Sequence, residues 1–398
     1  MRISTTQIYR QGLDALLDQQ LKLNRTQLQL STGRRILTPS DDPAGAAQVL
    51  DLTQSLEATR QYLANGDAAR ARLSLEEGTL GGVGDLLQRV RELVVQANND
   101  TQTNADRRAI AQELRGRLDE LLGLANTRDA NNEYLFAGHQ GQAQPFVRTG
   151  AGFGYNGDDG SRLLQIGPTT RVAVSDSGRE VFQAIRNGNG VFATLDDPAN
   201  TGSGIIDPGG ITDPAAWLPD DYTITFLTAT GYEVRDGGGG LVTSGTYASG
   251  AAIAFNGVTL SISGAPAAGD EFSVTPSAYQ DVFTTVQDLI DTLETPAGNP
   301  AGRARFHNAM NRALTDLDQD LGHMLEVRSG LGTRLNAVDN QKDLNDAFAL
   351  ILETTRSEVE DLDYAEAVSR LNRQLLALEA AQQTYVKVQG LSLFNFLR

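Results

Sequence analysis

Leucines near the amino-terminal end recur at three- and four-residue steps, which is the spacing of an amphipathic helix. Gly33 is a stop signal for this helix. Asp42 and Pro43 predict the start of a second helix, because aspartate caps free N–H groups and proline has no N–H to lose in the first turn. At about 100° per residue, one half of the first helix carries these leucines: Leu13, Leu16, Leu17, Leu21, Leu23, Leu28 and Leu30.

The carboxyl-terminal end has a similar pattern. Side chains at three- and four-residue steps follow the spacing of a coiled-coil seam: Val368, Leu371, Leu375, Leu378, Gln382, Tyr385 and Val388. The last eight residues add an apolar cluster, and exposed apolar side chains there are costly unless another surface covers them. We therefore expect the two ends to pair as helices and to leave apolar surface for neighbouring subunits. An ordinary helix bundle, with its ends packed on its own body, fits the pattern equally well.

The two ends together contain a candidate assembly surface. It consists of apolar side chains that a pair of helices cannot shelter completely. Its members are Leu13, Leu17, Leu21, Leu28, Leu371, Leu375, Leu378, Tyr385, Leu391, Phe394 and Phe396.

The middle of the chain follows the alternating pattern of strands instead. Residues 222–227 alternate, and residues 253–262 form a hairpin pattern in which Asn256 and Gly257 supply the two positive φ angles of a type I′ turn. Ile253, Phe255 and Val258 are among the residues expected on its buried face. Short strands at this spacing predict an antiparallel β domain over residues 141–280.

These patterns predict a mainly α protein with an inserted antiparallel β domain, whose N- and C-terminal helices pair as a coiled coil or helical bundle. Residues 1–42 and 360–398 would be the terminal coiled-coil arms. Residues 43–140 and 281–359 would form a helical core domain. Residues 141–280 would form an outward-facing β domain.

Composition and charge narrow the possible functions. The 398 residues are 40% hydrophobic, which is sufficient for a buried core. Fifty acidic against 33 basic residues give a net charge of −17, so we expect neither nucleic acid nor an anionic membrane as a partner. The chain has no run of 18 apolar residues, and its first residues lack a cleavable secretion signal. Taken alone, these features indicate the cytoplasm.

The side chains that most enzymes use are scarce. The sequence has no cysteine, and its three histidines, at positions 139, 307 and 323, lack metal-ligand spacing. Three pairs of adjacent carboxylates are attributed to helix capping and solvation, because adjacent residues on a helix point apart: Asp41 and Asp42, Glu76 and Glu77, Asp220 and Asp221. The sequence therefore predicts no catalytic, cofactor or metal site.

Two glycine-rich motifs do not change this interpretation. Residues 152–157 match G-x-G-x-x-G, but Asp158 and Asp159 follow in place of a helix and would repel a pyrophosphate. Residues 156–160 resemble a calcium loop, yet Gly160 and Gly167 occupy two of the ligand positions. A turn is the expected structure. The basic doublet Arg34-Arg35 is interpreted as solvated, with a contact to an acidic neighbouring subunit as the alternative.

Several motifs resemble the flagellin superfamily. They are MRIST at 1–5, LSTGRRILTPSDDPAG at 30–45, YLFAG at 134–138, YNGDDG at 155–160, GREVF at 178–182 and LSLF at 391–394. The terminal motifs resemble flagellins generally. The central ones resemble the hook-associated proteins that join the flagellar hook to the filament. The loop sequence TPSDDP departs from the pattern usual in flagellins, which weighs against a filament subunit.

The resemblance implies a structural, non-enzymatic function in the bacterial flagellum. It implies export through the flagellar type III apparatus without a cleaved signal, and hence a secreted protein. The implied partners are other copies of the chain in a ring or layer, hook-associated protein 1, flagellin and a cytoplasmic export chaperone. The alternatives are a flagellin filament subunit and, in another class, a secreted enzyme with its site in residues 141–280.

Overall fold

A computed structural model describes residues 5–150 and 152–390. Mixed helix and strand content confirms the predicted fold class, in which helical ends flank a central antiparallel β region. The first helix ends at the residue before Gly33, and the second begins at Pro43, as predicted. The helices are α1 Thr5–Thr32, α2 Pro43–Ala97, α3 Asn104–Ala125, α4 Gly178–Phe182, α5 Val282–Glu294, α6 Pro300–Glu360 and α7 Tyr364–Gly390.

The strands lie between α3 and α5. They are β1 Phe146–Thr149, β2 Gly152–Tyr155, β3 Leu163–Gln165, β4 Arg171–Ala173, β5 Ile185–Arg186, β6 Phe192–Asp196, β7 Ile205–Ile206, β8 Gly210–Ile211, β9 Tyr222–Thr228, β10 Gly231–Arg235, β11 Leu241–Thr246, β12 Ala252–Phe255, β13 Val258–Ser263, β14 Glu271–Pro276 and β15 Tyr279–Gln280. All of the pairings are antiparallel. The largest sheet has the order β11-β10-β9-β14-β6.

Residues 65–340 form one compact unit. Its larger core joins α2, α3, α5 and α6 to the first part of the β region. Four phenylalanines sit at this junction, and each ring centroid lies within 5.0 to 5.9 Å of another: Phe136, Phe146, Phe182 and Phe283. The segment up to β5 therefore shares its hydrophobic core with the helices, although the alternating pattern alone groups it with the rest of 141–280.

The second core of this unit belongs to strands β6 to β14. The predicted hairpin is present: β12 pairs with β13, and Phe255 lies opposite Val258. Asn256 and Gly257 have φ angles of 43° and 77°, as a type I′ turn requires. Its expected inward side chains are all buried, because alternate residues of each strand point to the same face: Ile253, Phe255, Val258, Leu260 and Ile262.

The other compact unit comprises, among the described residues, 5–64 and 341–390. It contains α1, α7, the first part of α2 and the last part of α6. The boundary predicted at 42 falls in the loop before α2 and the one at 360 falls at the last residue of α6, whereas the boundary between the units falls well inside α2 and α6. None of the helices in the described part of the chain is long and apolar enough to cross a membrane.

Candidate assembly surface

The helices α1 and α7 pair in antiparallel orientation. Near one end of the pair a Cβ on Gly12 would lie 3.0 Å from the Cδ2 atom of the Tyr385 ring. Farther along, the Gln19 Nε2 atom donates to the Gln374 carbonyl oxygen at 3.2 Å. The sheltered positions follow heptad spacing on both helices: Gly12, Leu16, Gln19, Leu23 and Thr26 on α1, and Ala367, Leu371, Gln374, Leu378, Ala381 and Tyr385 on α7.

A second row of leucines on α1 faces away from this seam. Leu13, Leu17, Leu21 and Leu28, the α1 stripe, are between 47% and 66% exposed. The helical wheel placed both rows in one half of the helix, because leucines at three- and four-residue steps fit two neighbouring stripes. Within the part of the chain that the structure describes, the row with Leu23, which is 9% exposed, is the one that packs against another helix.

The candidate residues on α7 divide in the same way. Leu371, Leu378 and Tyr385 are half-buried in the seam with α1. Leu375 is exposed, as are Val368 and Gln382, so the predicted seam is wrong at Val368, Leu375 and Gln382. The structure shelters Ala367, Gln374 and Ala381 instead, and the backbone carbonyl of Gln374 accepts the Gln19 amide N–H across the helix pair. Leu391, Phe394 and Phe396 lie outside the described residues.

Sequence reasoning missed an exposed apolar surface on α6. Leu344, Phe348, Leu350 and Ile351, the α6 patch, are between 48% and 65% exposed. Three of them follow i, i+4, i+7 spacing beside the buried row that includes Leu352. That spacing was the available signal, but the sequence does not distinguish an outward row from the inward one.

The loops at the ends of α1 and α6 are joined within the chain. The Arg35 N–H donates to the Glu360 carbonyl oxygen at 2.7 Å, and the Leu362 N–H donates to the Gly33 carbonyl oxygen at 2.9 Å. Gly33 has a φ of +72°, which favours glycine. Arg34 pairs with Glu360 at 3.0 Å and Arg35 with Asp42 at 3.2 Å. The basic doublet is therefore ion-paired within its own chain, which neither sequence interpretation anticipated.

In the first carboxylate pair Asp42 caps α2 as expected, whereas Asp41 holds the backbone of the preceding loop. Asp41 accepts the Leu37 and Thr38 N–H groups, and Asp42 accepts the Gly45 N–H at 3.0 Å. These bonds stabilise the charged carboxylates: the backbone N–H of Thr38 lowers the pKa of Asp41. The backbone N–H of Gly45 has the same effect on the pKa of Asp42.

For Glu76 the expectation of solvation was wrong. Glu77 is half-exposed and pairs with Arg328 at 2.7 Å, whereas Glu76 is fully buried. Neither carboxyl oxygen of Glu76 has a hydrogen-bond partner in the described part of the chain. Burial, followed by the negative charge of Asp176, raises the pKa of Glu76 to about 8.

The histidines and glycine motifs have ordinary surroundings. His307 contacts Asn98 and Asp100, and His323 lies 2.8 Å from the Glu180 carbonyl oxygen. Asp158 accepts the N–H groups of His139 and Gly160, so residues 156–160 form a turn as expected. Within residues 5–150 and 152–390 no group of acidic and histidine side chains could hold a metal ion.

Two family matches cover the helical ends of the chain. The bacterial flagellin N-terminal helical region matches residues 3–141, and the bacterial flagellin C-terminal helical region matches residues 314–397. Helical regions at both ends of the chain, paired through α1 and α7, define a flagellin-type structural protein.

Matches to individual proteins that cover most of the chain identify the family within this class of proteins. Flagellar hook-associated protein 3 of Salmonella typhimurium is 26% identical over 399 residues, which span 100% of each chain. The crystal structure of the flagellar junction protein FlgL from Legionella pneumophila is 34% identical with a TM-score of 0.73, and the match covers 79% of this chain and 100% of that one. A flagellin of Clostridium tyrobutyricum is 36% identical over 109 residues, which are 27% of this chain and 29% of that flagellin. The chain belongs to the flagellar hook-associated protein 3 family.

Membership in this family makes the protein a structural component of the flagellum that assembles with other flagellar proteins. The family consists of structural proteins, not enzymes, so the alternative of a secreted enzyme is wrong.

Proposed function

We propose that the protein forms a short layer of self-associated subunits that joins the hook to the filament. In this layer one surface contacts hook-associated protein 1 and another contacts flagellin. A junction between two helical polymers must tolerate different strain on its two sides. A separate kind of subunit meets this requirement, because each of its surfaces can match a different neighbour.

The proposal rests on the compact unit that contains both ends of the chain, here called the terminal unit. Its exposed apolar side chains outnumber its buried ones. Among the described residues of 5–64 and 341–390, five hydrophobic side chains are buried and fourteen large ones are exposed. For residues 65–340 the corresponding numbers are fifty-six and nine. Burying one such side chain contributes about 1.5–3 kcal/mol, so contact with neighbouring subunits would stabilise the terminal unit substantially.

In this function neighbouring subunits contact two sets of apolar residues. One set is the α1 stripe, and the other is Leu375 with Leu391, Phe394 and Phe396 nearer the carboxyl-terminal end. Leu371, Leu378 and Tyr385 act indirectly, because they hold α7 against α1. The β domain would project outward, and its part from β6 to β14 would remain independent of the assembly contacts, since that part has its own core. Arms with few buried apolar residues would stay loosely folded before assembly, which suits transport as an unfolded chain.

Secretion is part of the proposal. The protein would leave the cell through the flagellar type III apparatus and function outside the cell, at the junction of hook and filament. Before export a cytoplasmic chaperone would cover the carboxyl-terminal arm. The exposed apolar side chains Val368, Leu376 and Val386 on α7 support such a role, because they need cover in an aqueous compartment.

The test replaces two leucines of the α1 stripe. The variant Leu17→Ser, Leu21→Ser is produced in the encoding bacterium with its own gene removed, and labelled antibodies locate the protein by electron microscopy. Both side chains are exposed, so we expect the purified variant to keep its helix content but to disappear from the flagellum. The matched control, Leu227→Ser, removes a leucine that is 58% exposed on β9 and should leave a normal band at the base of the filament.

Normal incorporation of the double variant would contradict the assembly surface. Staining of the unaltered protein along the whole filament would instead identify a filament subunit, which is the flagellin alternative. Staining confined to the base of the filament is the result that the junction proposal requires.

A further inference from the structure

Asparagine is followed directly by glycine at five places in the chain: Asn65, Asn156, Asn187, Asn189 and Asn256. An asparagine in such a pair can lose its side-chain amide without an enzyme, because the backbone nitrogen of the next residue attacks the side-chain carbon. Glycine has no Cβ to obstruct this approach, in which the two reacting atoms have to come within about 3 Å of each other. The rate in a folded chain therefore depends on how freely each amide and the following N–H can move.

Four of the five asparagines are half-buried, and hydrogen bonds hold their side-chain amides. These bonds are 2.7 to 3.0 Å long and join Asn65 to Gln165, Asn187 to Ala278, Asn189 to Phe192 and Asn256 to Tyr222. In two of the pairs the attacking nitrogen is held as well. The Gly188 N–H donates to Asp316 at 2.7 Å, and the Gly190 N–H donates to the Asn187 carbonyl oxygen at 3.3 Å. Deamidation at these four residues therefore requires local opening of the structure first.

Asn156 differs from the other four because it is exposed. Across the residues that the structure describes, neither its side-chain amide nor the N–H of Gly157 forms a hydrogen bond. The backbone N–H of Asn156 donates to the Pro145 carbonyl oxygen at 2.8 Å, which leaves the side chain in solvent. Both reacting groups of this pair are thus free to meet.

The fold requires glycine after Asn156. A Cβ on Gly157 would overlap the hydroxyl group of Tyr155. That hydroxyl donates to the Asp158 carbonyl oxygen at 2.9 Å, so it is fixed in the turn. A reactive Asn-Gly pair therefore occupies an exposed position because the turn has no room for a larger residue.

We infer that Asn156 is a site of spontaneous deamidation and that it reacts before the other four asparagines. The Gly157 nitrogen forms a bond to Cγ of Asn156, the Cγ–Nδ2 bond breaks, and the amide leaves as ammonia with the proton of the Gly157 N–H. Water then opens the resulting succinimide ring at either carbonyl carbon. The products are aspartate and isoaspartate.

The modification changes the turn in which it occurs. Both products add a negative charge close to Asp158, and isoaspartate also adds a methylene group to the backbone. The Asp158 carboxylate accepts the His139 N–H at 2.9 Å and the Gly160 N–H at 2.8 Å. Deamidation should therefore weaken these two bonds and loosen the turn as the protein ages.

Ageing of the purified full-length protein tests the site. The folded protein is incubated at neutral pH and digested with pepsin after increasing times, and mass spectrometry measures the deamidated fraction at each Asn-Gly pair. We expect Asn156 to deamidate at least about tenfold faster than each of the other four, because local opening has to precede their reaction. A folded protein in which any of the four reacts as fast as Asn156 would overturn the inference.

The same measurement in guanidinium chloride is the control. Unfolding frees all five amides, so the five rates should become similar. If Asn156 leads by the same factor after unfolding, its neighbours in sequence explain the rate, and the assignment from the structure is wrong.

Hydrogen exchange measures the loosening of the turn. Asn156→Ser is the matched variant, because serine followed by glycine has no amide to lose. After ageing, the His139 and Gly160 N–H groups should exchange faster in the unaltered protein than in Asn156→Ser. Equal exchange in deamidated and variant protein would contradict the effect on the turn.

Discussion

At the residue scale, Glu76 is the group whose surroundings differ most from those of a solvated carboxylate. Adjacent in sequence, Glu76 and Glu77 lie on different faces of α2, and only Glu76 is buried. Desolvation disfavours its charge, and Asp176 adds repulsion that Arg334 and Arg72 offset only in part. Its pKa of about 8 means that Glu76 is mostly protonated at neutral pH.

The change Glu76→Gln should alter the dependence of stability on pH. The folded-state pKa is raised from 4.5, so the stability linked to the bound proton is complete below about pH 4.5 and is lost as pH rises through about 8. Glutamine keeps the shape of the side chain and removes the titration. We expect the variant's advantage in unfolding free energy to grow by up to about 1.4 kcal/mol per pH unit within this range.

Denaturant unfolding of both proteins from pH 5 to 9 measures this difference. Other buried carboxylates with a raised pKa, such as Asp320 and Asp316, titrate in both proteins, so the difference isolates Glu76. If the difference in unfolding free energy between the two proteins stays constant from pH 5 to 9, Glu76 does not bind the proton.

Local chemistry determines some of these residue features and tertiary packing determines others. Gly33, Asp42 and the turn at Asn256 could be predicted, because φ preference and capping act within a few residues. The burial of Glu76 could not, because nothing in the adjacent sequence distinguishes it from Glu77. Its surroundings come from residues about 100 and 250 positions away, Asp176 and Arg334.

At the element scale, α1 carries two apolar rows with different functions. The row with Leu23 packs in the seam with α7, and the α1 stripe is exposed. The leucine spacing correctly predicts that α1 is an amphipathic helix, and the similar pattern at the other end of the chain correctly predicts the pairing with α7. The spacing could not assign the rows, because both fit a helical period and the seam depends on the register of a helix more than 300 residues away.

Shortening a leucine side chain to alanine should change stability differently in the two rows. Leu23→Ala leaves a gap in the seam and should lower the stability of the α1–α7 pair by about 2 kcal/mol. Leu21→Ala removes a side chain that is mostly in water and should change stability by less than about 0.5 kcal/mol. Hydrogen exchange of α1 and α7 in the free protein measures both effects. Equal effects of the two changes would contradict the assignment of the rows.

At the scale of the whole molecule, the two compact units are built with very different cores. Residues 65–340 contain two hydrophobic clusters, whereas the described residues of the terminal unit bury five hydrophobic side chains: Leu23, Leu56, Leu352, Leu362 and Ala367. Local opening costs least where few apolar contacts must be broken. The free terminal unit should therefore open far more often than the rest of the chain.

Hydrogen exchange of the free and the assembled protein tests this difference. In the free protein we expect residues 5–64 and 341–390 to exchange at least tenfold faster than the buried helices of residues 65–340, such as α3 and α5. In assembled flagella the terminal unit should become protected, because neighbouring subunits cover its exposed leucines, while residues 65–340 change little. Slow exchange of the terminal unit in the free protein would mean that its few buried side chains suffice. Assembly would then have to be driven by something other than the burial of exposed apolar surface.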